Sequence, residues 1–253
     1  PLFPLSRDST HSRRDWGARA RPVDGTLRPM PRTARAVVAG GCYHVINRGN
    51  NRSTVFFSST EYDAFIRLMA EARERIPIDL LAICLMPNHF HLVAMPREKD
   101  DLSRWVHWLL TTHGQHHHRR HQTCGRIWQG RYKAFPIERD DHLLSVMRYV
   151  ERNALRAGLV TSAEDWPWSS LAWRTRAELH HLLASPPVVL PADWTARVNA
   201  PQSADEEEAL RACVNRQRPF GGEQWIAETA GAFGLESTLR PRGRPRRSPD
   251  PTQ

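Results

Sequence analysis

Two histidines separated by one residue are the first candidates for chemistry. His89 and His91 lie in the segment Met86–Val93, which reads MPNHFHLV. Residues two apart in a β-strand point to the same face, so both imidazoles would leave the strand together while Phe90 and Leu92 face a core. Two imidazoles on a rigid strand provide half of a divalent-metal site. The alternative is two polar residues on the solvated face of an edge strand, and the spacing alone does not decide between them.

A tyrosine on a predicted helix is the second candidate. Tyr149 and Asn153 lie one turn apart in the predicted helix Asp140–Arg156, so their side chains project together. A tyrosine hydroxyl is a weak nucleophile at neutral pH because its pKa is about 10. A metal ion that polarises a phosphate lowers this barrier, and arginines such as Arg152 and Arg156 can stabilise the developing charge. The alternative is an ordinary half-buried helix tyrosine.

A run of histidines in the second predicted helix is the third candidate. Its imidazoles could form a second metal site, but the run faces several directions and lacks an acidic or cysteine partner. We therefore interpret it as the polar side of a helix. The histidines in this run are His113, His116, His117, His118 and His121.

The overall charge favours a polyanionic partner. The 253 residues include 36 Lys and Arg against 27 Asp and Glu, a formal net charge of +9. Such an excess suits nucleic acid, and arginine, which supplies all basic residues except Lys99 and Lys133, binds phosphates and base edges well. Compositional drift in a GC-rich genome would give the same bias, so charge alone supports nucleic-acid binding only in part.

The elements that must position these residues follow the order β-α-β-β-α-β-α. This order predicts an α+β fold of the ferredoxin-like type, with an antiparallel sheet, helices on one face and the tyrosine on a later helix of the core. The predicted strands cover residues 37–38 with 43–46, 78–86 and 90–95, and residues 126–137 form another strand or hairpin with Gly130 at the turn. The predicted helices begin at Ser58 or Ser59, at Asp101 or Ser103, and at Asp140.

Composition divides the chain into four regions. Residues 1–36 read as a disordered basic leader with a candidate start at Met30, 37–172 as a catalytic domain, 173–239 as a linker with short helices, and 240–253 as a basic disordered tail. No apolar run reaches about 18 residues, so no membrane span is expected. The chain shows no secretory leader and four scattered cysteines, so we expect reduced thiols in a cytoplasmic protein.

Taken together, the histidine pair and the tyrosine helix resemble the HUH single-tyrosine transposases, and more narrowly the REP-associated tyrosine transposases of bacteria. The resemblance covers about residues 37–172. The matching segments are YHVINRGNNR at 43–52, the histidine motif at 86–93, WQGRYK at 128–133, YVERNALRAGLV at 149–160 and EDWPWSS at 164–170.

The resemblance implies a function. Relatives bind single-stranded or hairpin DNA, and the helix tyrosine, here Tyr149, cleaves it to give a 5′-phosphotyrosine and a free 3′-hydroxyl. His89 and His91 would bind Mg²⁺ or Mn²⁺, with Asn153 as third ligand. Many relatives carry proline after this asparagine, whereas this chain has Ala154, a departure that concerns the helix end. The protein is expected to be a monomer or homodimer, associated with the bacterial nucleoid.

Candidate DNA contacts lie at strand ends, on the tyrosine helix and in the tail. The tail would act as an auxiliary DNA contact or as a cover over the active site. Alternatives to the transposase hypothesis are a non-catalytic nucleic-acid-binding regulator on the same fold, a replication-initiator-type nicking enzyme and, last, a zinc hydrolase. The candidate DNA-binding residues are Asn47, Arg48, Asn51, Arg52, Arg126, Gln129, Arg131, Lys133, Arg152, Arg156, Arg242 and Arg244.

Overall fold

A computed structural model describes residues 37–240 of the chain. The leader, the tail segment 241–253 and the predictions made for Met30, Arg242 and Arg244 lie outside the described residues. The predicted β-α-β-β-α-β-α order is confirmed by β1 (Cys42–Arg48), α1 (Ser59–Arg75), β2 (Ile78–Met86), β3 (His89–Pro96), α2 (Asp101–His121), β4 (Lys133–Ile137) and α3 (Asp141–Glu151). There follow α4 (Asn153–Arg156), α5 (Ser170–Thr175), α6 (Trp194–Asn199), α7 (Ala204–Arg216), α8 (Glu223–Phe233) and α9 (Glu236–Leu239), with 3₁₀ turns at Asn50–Arg52, Ala163–Asp165 and Ala177–Leu182.

The four strands form one antiparallel sheet in the order β2-β3-β1-β4. This is the strand order of the ferredoxin-like plan, so the predicted α+β fold class is confirmed. Strand β3 lies inside the sheet, and alternation along it sends Phe90 and Leu92, both fully buried, to one face. His89 and His91 point to the other face.

The helices divide between these two faces, so the prediction that they all cover one face is wrong. α1 and α2 cover the Phe90 face, where Phe65 of α1 approaches Phe90 with ring centroids 5.8 Å apart. α3 covers the opposite face, where the ring centroids of Tyr149 and His91 lie 5.8 Å apart. The buried apolar stripe of α3 explains this packing, because residues at i, i+3, i+4 and i+7 form one side of a helix. That stripe consists of Leu143, Val146, Met147 and Val150.

The helix ends follow the sequence signals, with one correction. Asp140 caps α3 by accepting a hydrogen bond from the backbone N–H of His142 at 2.8 Å. The predicted single helix Asp140–Arg156 is instead divided at Arg152 into α3 and α4. The side chain of Asn153 donates to the carbonyl oxygens of Tyr149 at 2.8 Å and Val150 at 3.3 Å. Side-chain bonds of this kind compete with the helical ladder, which explains the interruption.

The predicted strand or hairpin at 126–137 is correct only in its second half. β4 begins at Lys133, and the preceding residues form a loop that pairs with the end of β1 and the residues just after it, including an isolated bridge between Gly49 and Trp128. Gly130 has a φ of +45°, a left-handed conformation that a β-strand does not use. The loop is anchored by the buried side chains of Trp128 and Tyr132.

The region after α4 is tied to the core by a buried carboxylate. Glu151, at the end of α3, accepts hydrogen bonds from Ser170 at 2.5 Å, Arg174 at 3.1 Å and Trp194 at 2.6 Å. These partners belong to α5 and α6, which the sequence assigned mainly to a linker. The division of the chain into domains stays a prediction.

Two expectations from composition can be compared with the structure. Among residues 37–240, all four cysteines are free, with Cys42, Cys84 and Cys213 buried and Cys124 exposed. Over the same residues, no helix combines the length and apolar character needed to cross a membrane.

Candidate active site

The histidine pair lies where the strand pattern predicted. His89 and His91 leave the same face of β3, with ring centroids 5.0 Å apart. His91 is only 2% exposed, whereas His89 is half-buried. Cross-strand pairing places Arg48 opposite His89 and Cys84 opposite His91. Neighbouring strands on both sides therefore fix the backbone that carries the two imidazoles.

Both imidazoles are held through the same ring nitrogen. His91 Nδ1 forms a 2.9 Å hydrogen bond with Nε2 of His44, and His89 Nδ1 forms a 2.6 Å bond with Oδ1 of Asn88. Within the described part of the chain, no hydrogen bond uses Nε2 of either histidine. A ligating histidine commonly has one nitrogen held by a neighbour so that the other faces the ion. The donor set therefore fits a divalent metal.

Burial keeps these imidazoles neutral. It lowers the pKa of His91 well below the usual value, and it lowers the pKa of His89 to about 4, assisted by the positive charges of Arg48 and Arg156. The pKa of His44 is lowered to about 3 by burial alone. Neutral imidazole is the form that binds metal ions, so His89 and His91 are in the required state near pH 7.

Tyr149 faces the histidines from α3. It is 5% exposed, and its ring centroid lies 6.4 Å from that of His44. The guanidinium of Arg156 lies over the tyrosine ring, 4.5 Å from the centroid, and its Nη2 lies 3.3 Å from the hydroxyl oxygen. Arg156 can therefore donate a hydrogen bond to the hydroxyl oxygen of Tyr149.

Asn153 is close to Tyr149 and Arg156, but its side-chain oxygen already has a hydrogen-bond partner. It is 2% exposed, and its Oδ1 accepts a 2.7 Å hydrogen bond from Nη2 of Arg156. The amide oxygen therefore competes for Arg156 with the Tyr149 hydroxyl. The role of Asn153 as a third metal ligand stays a prediction, because it requires Arg156 to release this oxygen.

The predicted DNA contacts divide between two adjoining loops and the tyrosine helix. The loops are joined by hydrogen bonds from Asn50 N to Ile127 O and from Gln129 N to Arg48 O, each 2.7 Å long. Asn47 differs from the expected surface position, since it is buried and its Oδ1 accepts from the backbone N–H of Arg48 at 2.9 Å. The exposed members of the two loops are Asn51, Arg52, Arg126, Gln129 and Arg131, and Lys133 is exposed at the start of β4.

The arginines of the tyrosine helix already have protein partners. Arg152 donates to the carbonyl oxygens of Val198, at 2.9 Å, and of Asn199. Arg156 also lies 3.8 Å from a carboxylate oxygen of Glu207 on α7. Any phosphate that contacts these two arginines must therefore compete with the segment α6–α7.

The amino-acid sequence of this domain is similar to sequences of known proteins. Residues 37–153 match the family model described as Transposase IS200 like. Over this segment the chain is similar to the IS200-like transposases. A relative from Haemophilus influenzae, named as a REP-associated tyrosine transposase, is 25% identical over 177 residues, covering 65% of this chain and 93% of the relative. A second REP-associated tyrosine transposase, from Escherichia coli K12, is 26% identical over 147 residues, covering 56% and 82%.

Two solved structures are similar to the chain. One is described as a REP-associated tyrosine transposase bound to a REP hairpin, with a TM-score of 0.48, 20% identity, and coverage of 69% of this chain and 96% of that one. The other, from Deinococcus radiodurans R1, is described as a transposase, with a TM-score of 0.34, 14% identity, and coverage of 61% and 99%.

Sequence reasoning missed His44, the hydrogen-bond partner of His91. It is fully buried, and ring centroids place it 5.0 Å from His91 and 4.9 Å from Phe135. A usable signal exists, because His44 is a polar residue within the apolar run of β1. Its partner, however, depends on the register between β1 and β3, which the sequence pattern does not give.

One further cluster has ligand-type side chains in proximity. Glu138, Asp140 and His142 place their oxygen and nitrogen atoms within 4.8 Å of one another. Asp140 is exposed and serves as the α3 cap, and Glu138 accepts from Gly222 N at 2.7 Å. These contacts give the cluster a structural role at the start of α3, separate from the histidine pair.

Proposed function

We propose that this protein is a metal-dependent strand transferase that cleaves single-stranded or hairpin DNA through Tyr149. One observation carries the proposal: a tyrosine with an arginine at its hydroxyl faces two neutral histidines across the sheet–helix boundary. A protein that only binds nucleic acid has no reason to assemble these groups. The names of the two curated relatives support REP-like palindromic DNA as the substrate.

The proposed reaction is a phosphoryl transfer. The Tyr149 hydroxyl loses its proton, and its oxygen forms a bond to phosphorus while the bond from phosphorus to the 3′-oxygen breaks. The 3′-oxygen takes up a proton, which leaves a 5′-phosphotyrosine and a free 3′-hydroxyl. Rejoining is the reverse reaction, in which a 3′-hydroxyl attacks the phosphotyrosine. Arg156 is placed to stabilise negative charge on the tyrosine oxygen.

His89 and His91 would hold the divalent ion through Nε2, and Asn153 is the proposed oxygen ligand. Mg²⁺ or Mn²⁺ bound there would act as a Lewis acid on the scissile phosphate. His44 and Asn88 fix the orientation of the two imidazoles. When DNA enters, we propose that Arg156 moves its hydrogen bond from Asn153 to the phosphate, which frees the amide oxygen. The cytoplasmic, nucleoid-associated location stays a prediction.

The test is formation of a covalent protein–DNA adduct. Labelled single-stranded palindromes from the flanks of the gene are incubated with the protein and Mg²⁺ and separated on a denaturing gel. Tyr149→Phe should bind the DNA but form no adduct, whereas the control Tyr62→Phe, changed on the opposite face of the sheet, should still form it. An adduct that persists in Tyr149→Phe would falsify the assignment.

The metal requirement is tested with the same substrate. His89→Ala and His91→Ala should abolish cleavage and leave most of the hairpin affinity, because phosphate contacts from basic residues dominate binding. If neither change affects cleavage, the metal site is elsewhere. If the wild-type protein binds hairpins in Mg²⁺ and in Mn²⁺ but never cleaves them, the chain is the non-catalytic regulator of the alternative hypothesis.

A further inference from the structure

The histidine run of α2 forms a stripe facing a groove between α1 and α2. His113, His117 and His121 are spaced by four residues and therefore share one side of the helix. Ring centroids lie 5.9 Å apart for His113 and His117, and 4.4 Å apart for His117 and His121. The three rings border a cavity of about 320 Å³ that is also lined by Glu61 of α1.

The hydrogen bonds of neighbouring histidines differ sharply. His118 uses both ring nitrogens, with Oγ1 of Thr123 and the carbonyl oxygen of Gly125 each 2.9 Å away. In the part of the chain that the structure describes, both ring nitrogens of His117 are buried and have no hydrogen-bond partner. A buried polar atom without a partner is destabilising and calls for an explanation such as a bound ion.

Glu61 supplies the acidic partner that the sequence of α2 lacks. Its Oε1 lies 2.8 Å from Nε2 of His121 and 2.9 Å from Nε of Arg120, while its Oε2 accepts from the backbone N–H of Phe57 at 2.7 Å. The carboxylate thus holds the His121 proton on Nε2 and leaves Nδ1 as the acceptor. A carboxylate that orients a histidine in this way is the usual second partner of a metal-binding imidazole.

We propose that His117 and His121 bind a divalent transition-metal ion such as Zn²⁺ or Ni²⁺ in this groove, with Glu61 orienting His121. The site is chemically distinct from the pair His89 and His91, for which an oxygen ligand is proposed. Imidazole nitrogens favour Zn²⁺ and Ni²⁺, whereas Mg²⁺ and Mn²⁺ favour oxygen. Water fills the remaining positions, and because Glu61 belongs to α1, the bound ion strengthens the contact between α1 and the end of α2.

The experiment removes the other histidine pair first. In a full-length His89→Ala, His91→Ala background, titration calorimetry with Zn²⁺ should show one bound ion, and Zn²⁺ should raise the unfolding temperature by mass action. His117→Ala and His121→Ala, added singly, should each abolish this binding. Glu61→Gln should weaken it by about 10–100-fold, as expected for loss of an orienting partner. Circular dichroism confirms that each variant is folded.

His116→Ala is the matched control, because His116 is exposed and also borders the cavity, but it lies outside the i, i+4 stripe of His113, His117 and His121. It should leave the Zn²⁺ affinity unchanged. The proposal is overturned if the background protein binds no Zn²⁺, if His117→Ala and His121→Ala bind as well as their parent, or if His116→Ala weakens binding equally. None of these results bears on DNA cleavage, since the background already lacks the proposed catalytic ligands.

Discussion

The two faces of the sheet are built from the same strands but differ in polarity, because one buries apolar side chains and the other buries polar ones. Under α1 and α2, β3 contributes Phe90 and Leu92 to a core in which Phe65, Phe90 and Trp128 meet at ring distances of 5.3–6.0 Å. Under α3, the same strand contributes His89 and His91. The first face stabilises the fold by removing apolar surface from water. The second buries polar groups, which is tolerable only where each finds a partner.

The two faces therefore differ in the substitutions that they tolerate. Apolar packing tolerates exchange of one hydrophobic residue for another of similar volume. The α3 face depends on particular pairs, such as His44 with His91 and Glu151 with Arg174. Losing one member of such a pair leaves the other buried and unsatisfied. Substitutions on the α3 face should therefore have specific effects that substitutions of similar size under α1 and α2 lack.

The largest expected effect is loss of stability from Arg174→Leu. Glu151 is fully buried, and Arg174 is its cationic partner at 3.1 Å. Removing that partner leaves a buried carboxylate uncompensated, so the free energy of unfolding should fall by about 3–5 kcal/mol. Urea denaturation measures it. Arg176→Leu, an exposed control in the same segment, should change it by less than about 0.5 kcal/mol. Equal effects would show that the Glu151 pair contributes nothing specific.

The second-largest effect is expected at His44. This residue would influence metal binding only through its hydrogen bond to His91. His44→Leu removes the hydrogen-bond partner of His91 Nδ1, so Mn²⁺ affinity measured by calorimetry should fall by about 10–100-fold. His44→Gln restores an acceptor and should recover part of the loss. Hairpin affinity should stay unchanged in both. If His44→Leu binds Mn²⁺ normally while His91→Ala does not, His44 only fills space.

These pairs also mark the limit of what the sequence could predict. The period of two placed His89 and His91 on one face, and the helical period placed Tyr149 beside Asn153, because both are local properties of the chain. The partnership of His44 with His91 spans 47 residues. It depends on the register between two strands, which the packing of the whole sheet fixes. For the same reason, Glu61 could not be identified as the partner of His121.

The third effect concerns how the buried histidines of each face make the free energy of unfolding depend on pH. His113, under α1, is 6% exposed, and burial followed by the charges of His117 and His116 lowers its pKa to about 3. The ordinary value in an unfolded chain is about 6.5. Between these values the unfolded chain binds the extra proton, so the free energy of unfolding falls as pH falls. One such histidine contributes a slope of about 1.4 kcal/mol per pH unit.

His113→Phe should remove this contribution while keeping an aromatic ring among Phe56, Phe65 and Trp128. Urea unfolding at pH 7, 6 and 5, with a chelator present, should show a shallower loss of stability than in the wild-type protein. The remaining slope would report buried histidines of the α3 face, such as His44. An unchanged slope would mean that His113 is not buried in its neutral form.

The smallest effect lies at the outer edge of the α3 face, where α7 meets the candidate site. Glu207 lies in the first turn of α7, with its carboxylate oxygen 3.8 Å from Arg156 and 2.6 Å from Arg211. The side chains of Glu207 and Arg156 are 19% and 26% exposed. Arg156 thus contacts three groups, which are the Tyr149 hydroxyl, the Asn153 amide and the Glu207 carboxylate. A DNA phosphate that binds Arg156 must displace the Glu207 carboxylate.

Glu207→Gln should therefore strengthen hairpin binding, but only slightly. A partly exposed ion pair is worth less than about 1 kcal/mol, which corresponds to a gain of at most about fivefold in affinity. The gain should be largest at low salt and should fade as salt screens the charges. Fluorescence anisotropy with a labelled hairpin at two salt concentrations measures it. Glu208→Gln, exposed and without an ion pair among residues 37–240, removes the same charge one residue away. If it gives the same gain, net charge alone explains the result; if only Glu207→Gln does, the acidic turn of α7 competes directly with DNA for Arg156.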